Sequence, residues 1–367
     1  MTALASVQPD DGRPRRLLLG ALIVTFVLAS ACVLRLLAYQ KAGIDFSSFW
    51  AGAKTALSQP GRLYDFDYIS GLQGWQLGPG KLRPYVSPPS ALLLFAPFAL
   101  APFWLSYAVW ILLSAGVFLW ATLKARLPWW SILLPPVAWV VYCGQTTLLI
   151  GGLVLGGLAL RRRPILAGVL FGMAAAVKPQ LLLLLPIALI ADRGWKTILA
   201  TGATGAGLVA ASAAVWGVDA WRQWLAAVGR FQQIIFNDPS MVADGMTPYA
   251  ALEAAGLPGG WALLLAPLAA GLVWTTFRRT EDPADRLIAV FGGALLVTPY
   301  AMNYETALFA PAVAAYLART AHPRWLLIAA VGAVFGMGLP LELLSLLAVI
   351  ALPSLARPAP PVVYAAA

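Results

Sequence analysis

Charge is scarce in this sequence: 11% of its 367 residues are Asp, Glu, Lys or Arg, against about a quarter in soluble domains. With 60% hydrophobic residues and a mean hydropathy of +0.79, a soluble fold would have too little polar surface to cover its core. Histidine is limited to one residue and cysteine to two. Cys32 and Cys143 lie far apart inside apolar runs, and His322 sits in a short basic turn with no second ligand at metal spacing. Neither a disulfide framework nor a zinc site is indicated. There is no P-loop and no GxGxxG setting with an acidic partner. The glycines at Gly151 and Gly156 fall inside a hydrophobic stretch and suit close helix packing rather than a phosphate cradle. The formal net charge of +10 would suit nucleic acid only if the cations gathered on one face. They flank apolar runs instead, as membrane topology signals do, so no nucleic-acid partner is expected.

What the sequence has in abundance is apolar runs. Crossing about 30 Å of hydrocarbon takes about 20 residues, and backbone polar groups there must be satisfied internally, so the runs are expected to be helices. The first, Leu17 to Ala38, follows a polar segment carrying Arg13, Arg15 and Arg16 and reads as an uncleaved first helix. Pro88 to Leu123 suits a short interfacial or re-entrant helix followed by a span over Phe103 to Leu123. Further runs cover Pro128 to Cys143, Thr146 to Leu160, Pro164 to Val177, Leu181 to Ala191, Thr197 to Trp216, Gly259 to Phe277, Leu287 to Thr298, Thr306 to Leu317, Trp325 to Met337 and Pro340 to Leu355. The expected fold class is therefore an all-α polytopic membrane protein of roughly 12 transmembrane helices, within a range of about 10 to 14, with interfacial helices in external loops. Residues 17–355 form one membrane domain between a cytoplasmic N-terminal tail, 1–16, and a cytoplasmic C-terminal tail, 356–367. The polar stretches 39–87 and 217–246 are its external loops.

Lys and Arg accumulate on the cytoplasmic side of a membrane protein. With the N-terminus inside, the cations divide about two to one in favour of the cytoplasm, and the run Arg161, Arg162, Arg163 is the strongest anchor. That orientation sends every unusual polar cluster outside: Asp45 in DFSSFW, Arg83 and Tyr85 in RPYVSPP, Gln145 in CGQTT, Lys178 and Gln180 in VKPQ, Asn237 in FNDPS, and Tyr304 and Glu305 in TPYAMNYE. Any chemistry is expected on that face, in a protein of the bacterial inner (plasma) membrane.

Each cluster admits two readings. Asp45, ringed by Phe46, Phe49 and Trp50, suits a general base for a hydroxyl, and equally an N-cap for an interfacial amphipathic helix over Phe46 to Leu57. Arg83 to Pro89 is a rigid helix entry, or a wall that turns Arg83 and Tyr85 toward the same cavity as Asp45. A charge at Lys178 would cost about 2.5–3.5 kcal/mol near the bilayer centre, so it either binds an anion or snorkels to the interface. Gln145 with Thr146 and Thr147 makes a polar hairpin, and Glu305 a helix-start cap.

The order of these motifs carries a resemblance. An Asp in a first-loop DFxxFW setting, a YxxPP helix entry, a GQ hairpin, a helix ending in KP and a late PYxxNY turn resemble the polyprenyl-phosphate-dependent glycosyltransferases of family 87. That family belongs to the multi-helix GT-C class and includes mannosyltransferases acting on phosphatidylinositol mannosides. The resemblance spans roughly Asp45 to Glu305. It implies Asp45 as the catalytic carboxylate and Lys178 as the lysine of the KP motif. On charge, Lys178 and Arg83 are expected to bind the donor phosphate, and Tyr85, Gln145, Gln180, Asn237, Tyr304 and Glu305 are expected around the substrate cavity. Thr146 and Thr147 follow the GQ pair where relatives commonly carry Asn, and Asn303 and Glu305 stand where relatives can carry His or Asp, which leaves sugar and acceptor open. The expected partners are a polyprenyl-phosphate sugar donor, a lipid or glycan acceptor and membrane lipids. No cofactor is expected, and a divalent metal stays open. The implied reaction is inverting transfer of a mannose-like hexose. A transporter or lipid flippase is the competing class, and a structural scaffold the third.

Overall fold

The computed structural model describes residues 34, 41–77, 83–319 and 341–355. The expected first helix, the run Trp325 to Met337, Cys32, His322 and both tails lie outside the described residues, apart from Leu34 within the first. Among the described residues the regular structure is helical, apart from an isolated antiparallel bridge between Gly245 and Met302.

The polar stretch after the first apolar run opens with α1, Phe46–Ser58, followed by the short helices α2, Phe66–Gly71, and α3, Gly74–Leu77. Then come α4, Pro89–Phe95, running into a 3-10 turn at Ala96–Leu100, and α5, Phe103–Lys124. The middle of the chain supplies α6, Pro135–Cys143, α7, Thr147–Ala159, α8, Pro164–Val177, α9, Leu185–Ala191, and α10, Trp195–Trp216. Next are α11, Val218–Asn237, α12, Pro239–Ala243, α13, Pro248–Ala254, and α14, Ala266–Arg279, which continues a 3-10 segment at Gly259–Leu265. The last elements are α15, Pro283–Val297, a 3-10 turn at Asn303–Phe309, α16, Ala310–Arg319, and α17, Leu341–Leu355. Six of these helices begin on a proline, whose fixed φ suits the first helical position and whose missing N–H would have no partner there.

Three segments are long and apolar enough to cross a membrane: Phe103–Lys124, Trp195–Trp216 and Gly259–Arg279. The shorter apolar helices lie where the sequence places its runs, and α8 keeps the expected bounds. Several sit inside the protein: α7 is buried from Thr147 to Leu158 and α15 at Ala284 and from Arg286 to Val297. By contrast α5 and α10 expose Leu112, Leu199 and Val215, as a lipid-facing surface would. The helix expected to start at Asp45 forms, but α1 is no surface helix. Phe46 and Ala51 are fully buried, and Phe46 contacts the rings of Phe98, Phe103, Tyr107 and Trp110. The amphipathic surface helix is α11, which buries Ala220, Ala227 and Ile235 and exposes Val218 and Leu225.

Lipid tails are as apolar as Leu, so helices in a bilayer associate through close packing, which small residues permit. A Cβ on Gly152 of α7 would lie 2.8 Å from the Phe118 backbone nitrogen of α5. On the other side of the bundle, Cβ atoms on Gly168 and Gly172 of α8 would lie 2.7 and 2.8 Å from the carbonyl oxygens of Thr197 and Thr201 in α10. The expected packing role holds for the α7 run, where Gly152 meets backbone and Gly151 and Gly156 face the Phe118 and Trp120 rings; Gly168 and Gly172 form a second backbone seam outside that run.

Gly152→Ala should therefore lower the unfolding midpoint in detergent by an amount corresponding to about 1–3 kcal/mol, the usual cost of overpacking. Gly205→Ala, on the open side of α10 where nothing lies within 4 Å, should raise stability by roughly 0.5–1 kcal/mol through helix propensity. Parallel thermal melts of the two variants check both signs.

Candidate active site

The turn between α6 and α7 is the foundation of the site. Gly144 closes α6 at φ +76°, a left-handed conformation natural to glycine, and a Cβ there would lie 2.6 Å from Phe46 Cβ. Trp110 Nε1 donates to the Gly144 carbonyl at 3.0 Å, and the Tyr107 hydroxyl donates to the Val141 carbonyl at 2.8 Å. Onto this turn the segment leading into α1 is docked by two backbone bonds, Gly43 N–H to Tyr142 O at 2.7 Å and Asp45 N–H to Cys143 O at 2.9 Å.

Asp45 occupies the N-cap position of α1, but its side chain makes no cap hydrogen bond. Its carboxylate forms an ion pair with Arg83 instead. Arg83 is held through its backbone: its N–H donates to Ser70 Oγ at 2.9 Å, and its carbonyl accepts from Gln73 Nε2 at 2.8 Å. Gln73 Oε1 in turn accepts from Ser47 Oγ at 2.6 Å, so α1, α2 and the residue before Pro84 are laced together. Asp45 is 7% exposed, whereas the Arg83 side chain keeps 29% accessible. Burial lowers the Arg83 guanidinium from its ordinary value, opposed by the nearby Cys143 thiol and the Tyr304 and Tyr300 phenols.

A second ion pair joins Lys178 to Glu305. Lys178 follows the last residue of α8, where Pro179 turns the chain, and its N–H still donates to Ala174 O at 3.0 Å. Glu305 is fully buried, and its other oxygen accepts from Thr147 Oγ1 at 3.1 Å. Lys178 Nζ also lies 5.1 Å from the ring centroid of Tyr304, within cation–π range. Lys178 thus has a protein partner, and Glu305 is a structural counter-ion rather than a bare helix cap. The turn bearing Glu305 is fixed from outside: Asn303 N–H donates to Asp244 O at 3.1 Å and Met246 N–H to Ala301 O at 3.1 Å, flanking the Gly245–Met302 bridge.

The two pairs share one neighbourhood. Tyr304 packs against Ile44, Leu77, Trp139 and Cys143, and its hydroxyl lies 3.5 Å from that of Tyr300. Arg83 and Glu305 both act electrostatically on the Tyr300 and Tyr304 phenols. Two carboxylates and two cations therefore surround a pair of tyrosines, an arrangement able to accept a proton and to bind an anionic phosphate.

The other expected residues divide. Tyr85 is fully buried, donates to Pro88 O at 3.3 Å and packs on Gly52, so it supports the site from the core. Gln145 accepts from the Thr146 N–H at 3.1 Å and braces its own turn. Gln180 is half-buried and Asn237 exposed, and no hydrogen bond among the described residues ties either to the cluster. Thr147 and Asp244 were not singled out as site residues. Asp244 is pushed up by burial and by the Asp238 carboxylate, although part of its surface stays accessible. Thr147 stood within the GQTT hairpin, but nothing in its spacing points to a partner 158 residues away. Among the described residues no group of three or more His, Cys, Asp or Glu is placed to hold a metal ion.

The sequence profile of glycosyltransferase family 87 matches residues 85–299, more than half of the chain. The matched segment contains Tyr85, Gln145, Lys178, Gln180 and Asn237; Asp45, Arg83, Tyr304 and Glu305 flank it. No protein of curated function and no solved structure matches the chain.

Removing one partner of a buried pair strands the other charge, a loss of about 3–5 kcal/mol. Lys178→Met and Glu305→Gln should each destabilise by about that much, and the double variant by clearly less than their sum. Denaturant titration of the three variants in micelles gives the coupling.

Proposed function

The chain belongs to glycosyltransferase family 87 and so moves a sugar from a donor to an acceptor, and from that premise we propose how its residues do so. The donor is a hexose, mannose-like, carried on a polyprenyl phosphate; the acceptor is a hydroxyl of a lipid or glycan; transfer takes place on the external face with inversion. Family membership displaces the transporter and scaffold readings. The observation that carries the mechanism is the Asp45–Arg83 ion pair, a base and a phosphate ligand held in contact beside Lys178.

Arg83 offers its positive charge to the Asp45 carboxylate, the group placed to accept a proton. A donor phosphate competes for the same guanidinium, which offers five N–H donors in a fork suited to phosphate. As Arg83 turns to the donor, a carboxylate oxygen of Asp45 is left to receive the acceptor hydroxyl proton. The acceptor oxygen then bonds to the anomeric carbon while that carbon's bond to the phosphate oxygen breaks, through an oxocarbenium-like state. The leaving polyprenyl phosphate is an anion and needs positive charge more than an acid. Arg83 supplies it, and so does Lys178, whose ammonium has three donors, one of them engaged by Glu305.

Retention would require a second carboxylate to attack the anomeric carbon. Glu305 is buried and bound by both Lys178 and Thr147, which supports a single displacement. A donor on the external face must arrive without nucleotide, and a lipid phosphate reaches the site laterally from the bilayer. About twelve crossings, with both tails in the cytoplasm of a bacterial inner-membrane protein, complete the reading.

Asp45→Asn should lower transfer about 10²- to 10⁴-fold in membranes supplied with a radiolabelled polyprenyl-phosphate sugar, with insertion unchanged. A variant transferring at the wild-type rate would overturn the role of Asp45. For orientation, a cysteine placed at Arg162 should resist an impermeant external thiol reagent; labelling of intact cells would invert the topology.

A further inference from the structure

At the far end of α8 from Lys178 lies a cavity of about 400 Å³, lined by residues that take no part in the chemistry above. α8 is 14 residues long, so at 1.5 Å per residue about 21 Å separates the two ends. The cavity is bounded by the Arg161 turn, the start of α8, the end of α9 and the first turn of α10.

Its cations fall into two sets. Arg286 is 2% exposed and fully engaged: it holds Asp192 at 2.8 and 3.1 Å and donates to the carbonyls of Thr280 and Phe277. Arg161 is paired with Glu281. Arg193 and Lys196 also line the cavity and have no ion pair among the described residues. Between them begins α10, 22 residues long, whose N-cap Gly194 supplies no side-chain cap. Trp195 N–H donates to Arg193 O at 3.0 Å, while the N–H groups of Lys196 and Thr197 have no acceptor among the described hydrogen bonds and carry partial positive charge. Thr197, in that turn, lines the cavity and is 5% exposed, and its hydroxyl donates to no acceptor among the described hydrogen bonds. Trp195, 60% exposed at the rim, is the residue type that settles at the level of lipid headgroups.

We propose that this cavity binds a phosphate group, with Arg193 and Lys196 as charge partners and the Thr197 hydroxyl and first-turn N–H groups of α10 as hydrogen-bond donors. A phospholipid headgroup and a free phosphate ion present the same chemistry to these groups. Trp195 and the apolar wall formed by Phe171 and Leu189 favour the lipid.

Arg193 also provides a benign variant. It sits at φ +55°, in the left-handed position after α9, where Gly194 N–H returns to Leu189 O at 2.8 Å. Glycine is the usual residue there, so Arg193→Gly removes the charge while easing the backbone. The full chain, purified in mild detergent, is titrated with phosphatidylglycerol and phosphatidylcholine under native mass spectrometry, and with inorganic phosphate by calorimetry. Arg193→Gly/Lys196→Gln should weaken phosphatidylglycerol retention about tenfold, with phosphatidylcholine little affected and sugar transfer unchanged. Loss of the phosphate heat alone, with lipid retention intact, would assign the same site to a free anion. If neither ligand is bound more weakly by the double variant, the proposal is overturned. Should the double variant fail to fold, Lys196→Gln alone is read in the same way, with about a threefold loss expected. The readout is binding rather than turnover, so its failure is distinct from failure of the catalytic mechanism.

Discussion

A lysine and a glutamate withdrawn from water together lose several kcal/mol of hydration each, and mutual attraction returns it only when the geometry is good and the remaining hydrogen-bonding capacity is met. Lys178 and Glu305 meet those terms through Thr147 and the Tyr304 ring. The pair ties the end of α8, the start of α7 and the late 3-10 turn into one place, across 127 residues of sequence. Apolar residues of similar volume often serve stability as well or better. A buried pair kept beside a second ion pair is therefore more readily explained by the charge it presents than by the stability it adds.

The Asp45–Arg83 pair is built differently. Its members sit on a polar stretch whose own backbone is anchored to the α6–α7 turn and whose polar side chains, Ser47, Ser70 and Gln73, are spent holding the loop in register. The ring cage around Phe46 excludes water from one side, while part of Arg83 stays accessible on the other. In the proposed roles of base and phosphate ligand, Asp45 and Arg83 are pre-positioned by packing, so substrate binding would not have to organise them.

Much of the fold was legible because apolar runs and their flanking prolines report directly on local helix formation. Pro164 and Lys178 bracket α8 in the sequence as they do in the fold. The crossing count was less legible. Burial of short helices such as α7 inside protein depends on which neighbours cover them, and a hydropathy run says nothing of neighbours. Within the site, Asp45, Arg83, Lys178, Tyr304 and Glu305 were each visible as polar residues in costly places, yet their pairing was not. The N-cap reading of Asp45 was reasonable on local grounds and is realised in backbone position only, because the carboxylate prefers a full charge at Arg83 to a cap bond. Gln180 and Asn237 look much like Gln145 in sequence, and only tertiary placement separates them.

The glycine seams fix α8 against α10 so closely that neither can slide, and α8 itself is only 14 residues long. Its roughly 21 Å falls well short of a typical hydrocarbon thickness of about 30 Å, and it exposes Ile165, Leu166 and Met173 to its surroundings. A bilayer meeting such a wall would thin locally at a cost of only fractions of a kcal/mol per ångström of mismatch. On the proposed orientation and donor, such thinning would bring the outer headgroup plane down toward Lys178, and a lipid-borne phosphate moving along the leaflet would reach the proposed site without leaving its own membrane.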